Sequence, residues 1–178
     1  MAKPKARVVK IETPPAALAR ADLAPVSFAD GYSAWVDVNG ITARQVALAV
    51  FARQRPWLRR MMALRDWVVG WFGLQRSRPP IGDGDTRQIG MFPIVFESTT
   101  EIVLGSNDKH LDFRIWVGVQ PSESGAQVSM ATLVRCHSVF GEVYLTLVLP
   151  VHRVLSRLML GQALASMRKT NRAARATG

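Results

Sequence analysis

Residues able to do chemistry cluster in two places along the chain. The first is the run SNDKHLDFRIWVGVQ, Ser106 to Gln120, which holds Asp108, His110, Asp112 and Arg114. Alternation along a strand puts His110, Asp112, Arg114 and Trp116 on one face and Leu111, Phe113, Ile115 and Val117 on the other. If the polar face meets solvent, its Asp/Arg pair is a surface interaction of roughly 0–1 kcal/mol. If the sheet bends so that this face enters a cavity mouth, His110 and Asp112 can orient one another as a proton-handling pair. Asn107 and Asp108 fall in the preceding turn, where Asx side chains cap backbone groups. The second place is Arg135, His137, Tyr144 and His152. Tyr144 and His152 are eight residues apart, a little over two helical turns, so a helix would present them nearly the same way. They can be the polar points of an apolar pocket, or core residues each satisfying a backbone carbonyl.

Other chemistries are poorly served. His110, His137 and His152 form no HxH or HExxH pair, so no metal site is expected. No GxSxG elbow is present, and Cys136, the single cysteine, reads as a buried structural thiol. The GDGD run at Gly82 to Asp85 is acidic and would repel phosphates, and no dinucleotide or P-loop pattern occurs. No cofactor is implied, and no residue is assigned as catalytic.

The elements that must position these residues follow from pattern. DGYSAWVDV reads as a strand ending at the turn pair Asn39-Gly40. Thr42 is an N-cap for a helix carrying Val46, Leu48, Ala49 and Val50. Trp57, Met61, Leu64, Val68 and Trp71 recur at spacings of three and four, predicting a second helix from Pro56 to Phe72 with Gly73 as its stop. A Gly/Pro/Asp-rich loop follows, then strands at Gln88 to Glu97, Glu101 to Gly105, His110 to Val119 and Gln127 to Cys136, close enough to form an antiparallel meander. Ser138 caps a long apolar helix from Val139 to about Ser166, with Pro150 as a kink or local break. An antiparallel sheet must bury one face, and the terminal helix is the element to cover it.

Composition bounds the rest. With 178 residues, 48% hydrophobic and 20% charged, the chain suits a single globular domain. The boundaries expected are a basic, Pro/Ala-rich extension over 1–27, one α+β domain over 28–166 and a basic tail over 167–178. The net charge of +10 is concentrated at the ends. Residues 1–12 contribute +3 and residues 166–178 contribute +4, so solvated tails explain most of it and nucleic acid is not the expected partner. An internal basic group, Arg53, Arg59 and Arg60 with Arg55 and Arg65, runs from just before the second helix into it; its arginines either solvate the outer face or suit an anionic membrane surface. A homodimer is left open. Nothing calls for an oxidising compartment, the N-terminus lacks the apolar core of a secretory signal, and the apolar run from Val143 is interrupted by Pro150, His152 and Arg153, so a cytoplasmic location is expected.

The segments WLRRMMALRDWVVGWFGL, GSNDKHLDFRIWV and GEVYLTLVLPVHRVL, in this order, resemble a bacterial family known only as a domain of unknown function, number two-eight-six-seven. The likeness covers about Tyr32 to Leu164. Its most specific parts are Asp108 to Phe113 and Gly141-x-x-Tyr144 followed by Pro150-x-His152. Relatives occur alone or behind a short-chain-dehydrogenase-like domain, which is absent here. The layout also resembles, at the level of fold, the helix-grip proteins of the START and pollen-allergen type, including polyketide cyclases and hydrophobic-ligand carriers. That resemblance implies a curved antiparallel sheet packed around a long C-terminal helix, with two short helices after strand one and one further short strand hidden in the loops. It implies a hydrophobic small molecule or lipid held between sheet and helix. On the faces and spacing given above, the residues expected to accent that cavity are Arg135, His137, Tyr144 and His152, with His110 and Asp112 as secondary candidates. A cyclase or isomerase using His and an acidic partner on the same scaffold is the alternative, and a basic membrane- or nucleic-acid-associated adaptor the third.

Overall fold

The computed structural model of the protein describes residues 7–51 and 87–176. The expected helix over 56–72, with Arg53, Arg59 and Arg60, and the GDGD loop lie outside the described residues. A seven-stranded sheet, every pairing antiparallel, runs in the order β1-β2-β7-β6-β5-β4-β3. In chain order the elements are β1 (Val9–Ile11), α1 (Pro15–Ala21), β2 (Phe28–Val36), α2 (Ala43–Phe51), β3 (Gln88–Ile89), β4 (Phe92–Glu97), β5 (Glu101–Asn107), β6 (Leu111–Ser122), β7 (Gly125–Cys136) and α3 (Val139–Ala176). This is the α+β, helix-grip-like architecture expected, with a curved open sheet and a long C-terminal helix.

Local chemistry sets the element ends. At the start of α2 the Gln45 amide donates to Thr42 Oγ1 at 3.2 Å, and the Thr42 amide donates to Gln45 Oε1 at 3.0 Å. This is a reciprocal capping box that satisfies two otherwise orphaned N–H groups. The single strand expected over Gln88 to Glu97 is two, β3 and β4, because Gly90 turns the chain at φ +60° against the Phe51 carbonyl. That left-handed conformation favours glycine. β6 and β7 form a hairpin of two twelve-residue strands paired from Leu111↔Cys136 to Ser122↔Gly125. They are the spine of the sheet and run further into the turn than the Pro121 to Gly125 signal suggests.

Two elements in the 1–27 stretch have no counterpart in the sequence reading. β1 pairs with β2 through Val9↔Ser33 and Ile11↔Gly31. α1 begins with proline in its first turn, where a missing N–H costs nothing. It packs Ala17 and Ala21, with Leu23 beyond its end, on the back of the sheet against Val103, Trp116, Ala131 and Leu133. On the front, α2 and the second half of α3 bury Val46, Ala47, Val50, Leu160, Ala163 and Leu164 against Tyr32, Ala34, Val36, Val117, Val128 and Met130. β6 therefore faces the helices with Ile115 and Val117, as one of the two expected orientations has it. Its other face is not simply wet, since Trp116 is buried under α1 and donates from Nε1 to Glu101 Oε1 at 3.0 Å.

α3 carries Pro150 inside one continuous helix, and it departs from expectation at its end, continuing to Ala176 instead of ending near Ser166. The extension has a cause in the packing: Arg168 donates to the Trp35 carbonyl at 2.8 Å and pairs with Asp37 at 2.8 Å. These contacts pin the last turns, whose basic residues also suit a helix C-terminus. The outer side of the first half carries Val139, Val143, Leu147, Val151, Val154 and Leu158, all exposed. An 18-residue window of this helix has a mean hydropathy of 1.4, so by length and composition alone it could cross a membrane. Its inner side from Ser156 onward is packed on the sheet.

Candidate functional site

α3 is fastened to the sheet at two points and lies less closely covered between them. At its start, Gly141 is buried with its Cα against the His110 carbonyl, where a Cβ would collide. From Ser156 on, Ser156, Leu160, Ala163 and Leu164 are buried again. Over residues 142–155 no side chain is fully buried. On the side that continues to Ser156 and Leu160, Tyr144, Leu145, Val148, Leu149, His152 and Leu155 are all half-buried. On the front of the sheet, alternation presents Phe28, Leu111, Phe113, Ile115, Thr132 and Cys136, also half-buried, with Phe113 packed on Phe92. Apolar surface is thus left accessible on this side of α3 and on the front of the sheet, and the gap between them is the candidate cleft.

A polar cluster closes one end of this cleft. β2 alternates Phe28, Asp30, Tyr32, Ala34 and Val36 toward α3, so a carboxylate and a phenol occur on an otherwise apolar face. His152 Nε2 lies 3.3 Å from Asp30 Oδ1. Ser156, one helical turn further, brings its Oγ to 3.4 Å from the same nitrogen. With the proton on Nε2, the imidazole donates to the carboxylate and Ser156 offers a second acceptor. The Phe28 ring meets the imidazole edge-on at 6.1 Å. The Asp30 side chain is 3% exposed and that of His152 23%, so the histidine forms the boundary between cleft and cluster.

Two atoms of the cluster stand out. Asp30 Oδ2 and the Tyr32 hydroxyl are both buried with no partner at ordinary hydrogen-bond distance, and the phenol and the carboxylate share a longer side-chain hydrogen bond. Burial pushes the Tyr32 pKa above its usual value of 10.0, and the neighbouring Asp30 carboxylate adds to the rise by its charge and by a side-chain hydrogen bond. Arg157 and Arg153 act in the opposite direction, Arg157 with its guanidinium 5.4 Å from the Tyr32 ring centroid. On the outside of the same strand a surface depression of about 420 Å³ runs past Lys10, Ile11, Glu12, Thr13, Ala29 and Asp30.

The residues singled out in the sequence separate in space. Only His152 joins the polar cluster, and Tyr144 lies two turns before it on α3, half-buried in the cleft wall. Arg135 falls on the back of β7 by alternation, opposite Asp112 in register. His137 lies just past the strand end with Nε2 2.9 Å from Asp112 Oδ2. Asp112 therefore pairs with His137 and not with Arg114 or His110. Arg114 instead donates to the carbonyls of Phe113 and Ser106 at 2.9 and 3.3 Å. His110 Nδ1 lies 3.1 Å from Ser138 Oγ, and its ring packs edge-on against Phe140 at 5.2 Å. One group became two because strand alternation sends Arg135 away from the face that α3 covers.

Asp30, Tyr32 and Ser156 were missed. The signal for Asp30 was present, since an acid falls in phase with Phe28, Tyr32, Ala34 and Val36. Cys136 is half-buried, and burial raises its thiol pKa, the reverse of what an activated nucleophile needs. Among the described residues, no group of three or more His, Cys, Asp or Glu side chains could hold a metal ion. The family model described as Protein of unknown function (DUF2867) matches residues 23–159. No curated protein matches the chain.

Proposed function

Because the chain belongs to the DUF2867 family, whose description names no activity, we propose its function from geometry: it binds a hydrophobic small molecule or lipid between the sheet and α3. The observation that carries this is the stretch of α3 from 142 to 155, where no residue is fully buried although both ends of the helix are fastened to the sheet. Protein interiors are close-packed, and half-buried Leu145, Val148 and Leu149 on α3, with half-buried Phe28 and Thr132 on the front of the sheet, offer apolar area to a guest. Covering about 200 Å² of such area is worth about 5 kcal/mol at ~25 cal/mol per Å². The fold-level likeness to START-type carriers supports the same reading by analogy only. The exposed apolar stripe of α3 and the charge of +10 fit a carrier that loads at an anionic membrane surface.

A second reading rests on the Asp30–His152 contact. A histidine oriented by a buried carboxylate at the end of an apolar cleft is the arrangement a proton-transfer enzyme acting beside a carbonyl would use. Binding is the more economical reading, because an orienting pair serves a carrier equally well.

Titration with the neutral apolar fluorophore N-phenyl-1-naphthylamine tests the proposal. Saturable binding at one site per chain, with an affinity in the micromolar range, is expected for the native protein. Val148→Trp, which fills the cleft, should abolish that binding while the melting temperature stays within a few degrees. Absence of saturable binding by the native protein would remove the proposal.

A further inference from the structure

We infer that the outer stripe of α3 is a homodimer interface, on which the same stripe of a second copy lies antiparallel. The inference goes beyond the binding reading and does not depend on it. Val139, Val143, Leu147, Val151, Val154 and Leu158 recur at steps of three and four, so they share one face along the first half of the helix. At 1.5 Å per residue that stripe is about 28 Å long. Each of the six is 45–75% exposed. Together they leave on the order of 500 Å² of apolar surface in one patch, near the upper end of what a monomer keeps bare in water. Thr146, Pro150, Arg153 and Arg157 are exposed along one flank. With them the face approaches the ~800 Å² per partner of a standard interface.

The charges select the occupant and its direction. From Val139 to His152 the helix has a single charged residue, Glu142, and no Lys or Arg, whereas Arg153 and Arg157 follow in the next turns. At 3.6 residues per turn all three fall on the same flank of the stripe. A two-fold axis perpendicular to the helices runs them antiparallel and lays like flank beside like flank. With that axis between Leu147 and Val148, Glu142 and Arg153 are equally far from it on opposite sides. Glu142 of each copy then falls beside Arg153 of the other, and opposite charges across an interface fix its register. A parallel pairing would instead set Glu142 against Glu142 and Arg153 against Arg153. An anionic bilayer is the competing occupant, and the stripe itself suits it less. An interfacial helix places Lys and Arg beside Trp, Phe and Leu, but this stripe has no aromatic residue and its first half is flanked by an acid. The basic residues that suit a membrane lie mainly at the ends of the chain.

Sedimentation equilibrium of the full chain tests the inference. The native protein is expected to pass from monomer to twice the chain mass of 19.7 kDa, with a dissociation constant in the micromolar range. Leu147→Asp should weaken that association about a hundredfold, with the melting temperature within a few degrees of the native value because the position is exposed. Cross-linking reads the direction. In a Cys136→Ser background, Leu147→Cys should form a disulfide with its own counterpart under mild oxidation, and Val143→Cys should pair with Val154→Cys and not with itself. The native mass needs no variant, so a variant that fails to fold does not spoil the test. A native chain that stays monomeric at about 100 μM would overturn the inference. Flotation of that monomer with phosphatidylcholine vesicles containing one-quarter phosphatidylglycerol, lost in Leu147→Asp, would then assign the stripe to the bilayer. A monomer that Leu147→Asp destabilises would assign it to another part of the same chain. A dimer that survives Leu147→Asp, or self-pairing of Val143→Cys, would overturn the inference as well.

Discussion

Asp30 and Tyr32 share one buried site on β2, where the phenol leans on the carboxylate. Removing one partner of a buried hydrogen bond leaves the other unsatisfied, at a cost of about 1–3 kcal/mol. Tyr32→Phe should therefore lower stability by about 1 kcal/mol, read as a shift in urea midpoint at unchanged slope. The same variant has a signature in pH. Burial and Asp30 hold the Tyr32 pKa above its unfolded value of 10.0. The folded state thus prefers the neutral phenol, and the resulting stability is present below pH 10 and lost as pH rises through the folded pKa. Denaturant midpoints taken from pH 8 to pH 11 should fall less steeply for Tyr32→Phe than for the native chain. At this scale the sequence was half legible: His152 could be found from its helical spacing to Tyr144. Its partner Asp30 lies 122 positions away, and only the pairing of sheet and helix brings them together.

Among the elements, those long enough to show a period were legible. β2, β6 and β7 announce themselves by alternation, α2 by Thr42 at its start, and α3 by its long, mostly apolar run after Ser138. β1 and β3, with three and two residues, are too short to carry a period and exist only through their neighbours. α1 was hidden by composition, since an Ala-rich stretch behind two prolines resembles a linker until Leu133 and Trp116 supply a surface for it. Gly90 is the element-scale test. A Cβ there would come within 2.7 Å of the Phe51 carbonyl oxygen, at a φ that L-residues rarely adopt. Gly90→Ala should cost about 1–3 kcal/mol and loosen β3 from the end of α2, seen as faster amide exchange at Ile89 and Phe92 than at Val117. Uniform loss of protection across the sheet would instead mark a global effect.

At the scale of the whole molecule, the sheet serves two layers at once. Its front carries the helices and the cleft, and its back carries α1 with Trp116. That division was foreseen only in part, because alternation in β6 separates a greasy face from a polar one but does not say that the polar one will find a cover. An open sheet also has two ends. Here one ends in the three-residue β1 and the other in the two-residue β3, behind which β4 carries Pro93 and a register shift between Ile94 and Phe96. A proline removes a ladder donor and an irregular register bends the strand, so among the described residues neither border presents a long straight template. Such borders disfavour the recruitment of further chains by strand addition. Pro93→Thr should weaken that guard, and light scattering at 37 °C should show growth in the variant while the native chain stays clear. The short strands that are hardest to read in the sequence are, in this light, its protection against becoming a fibre.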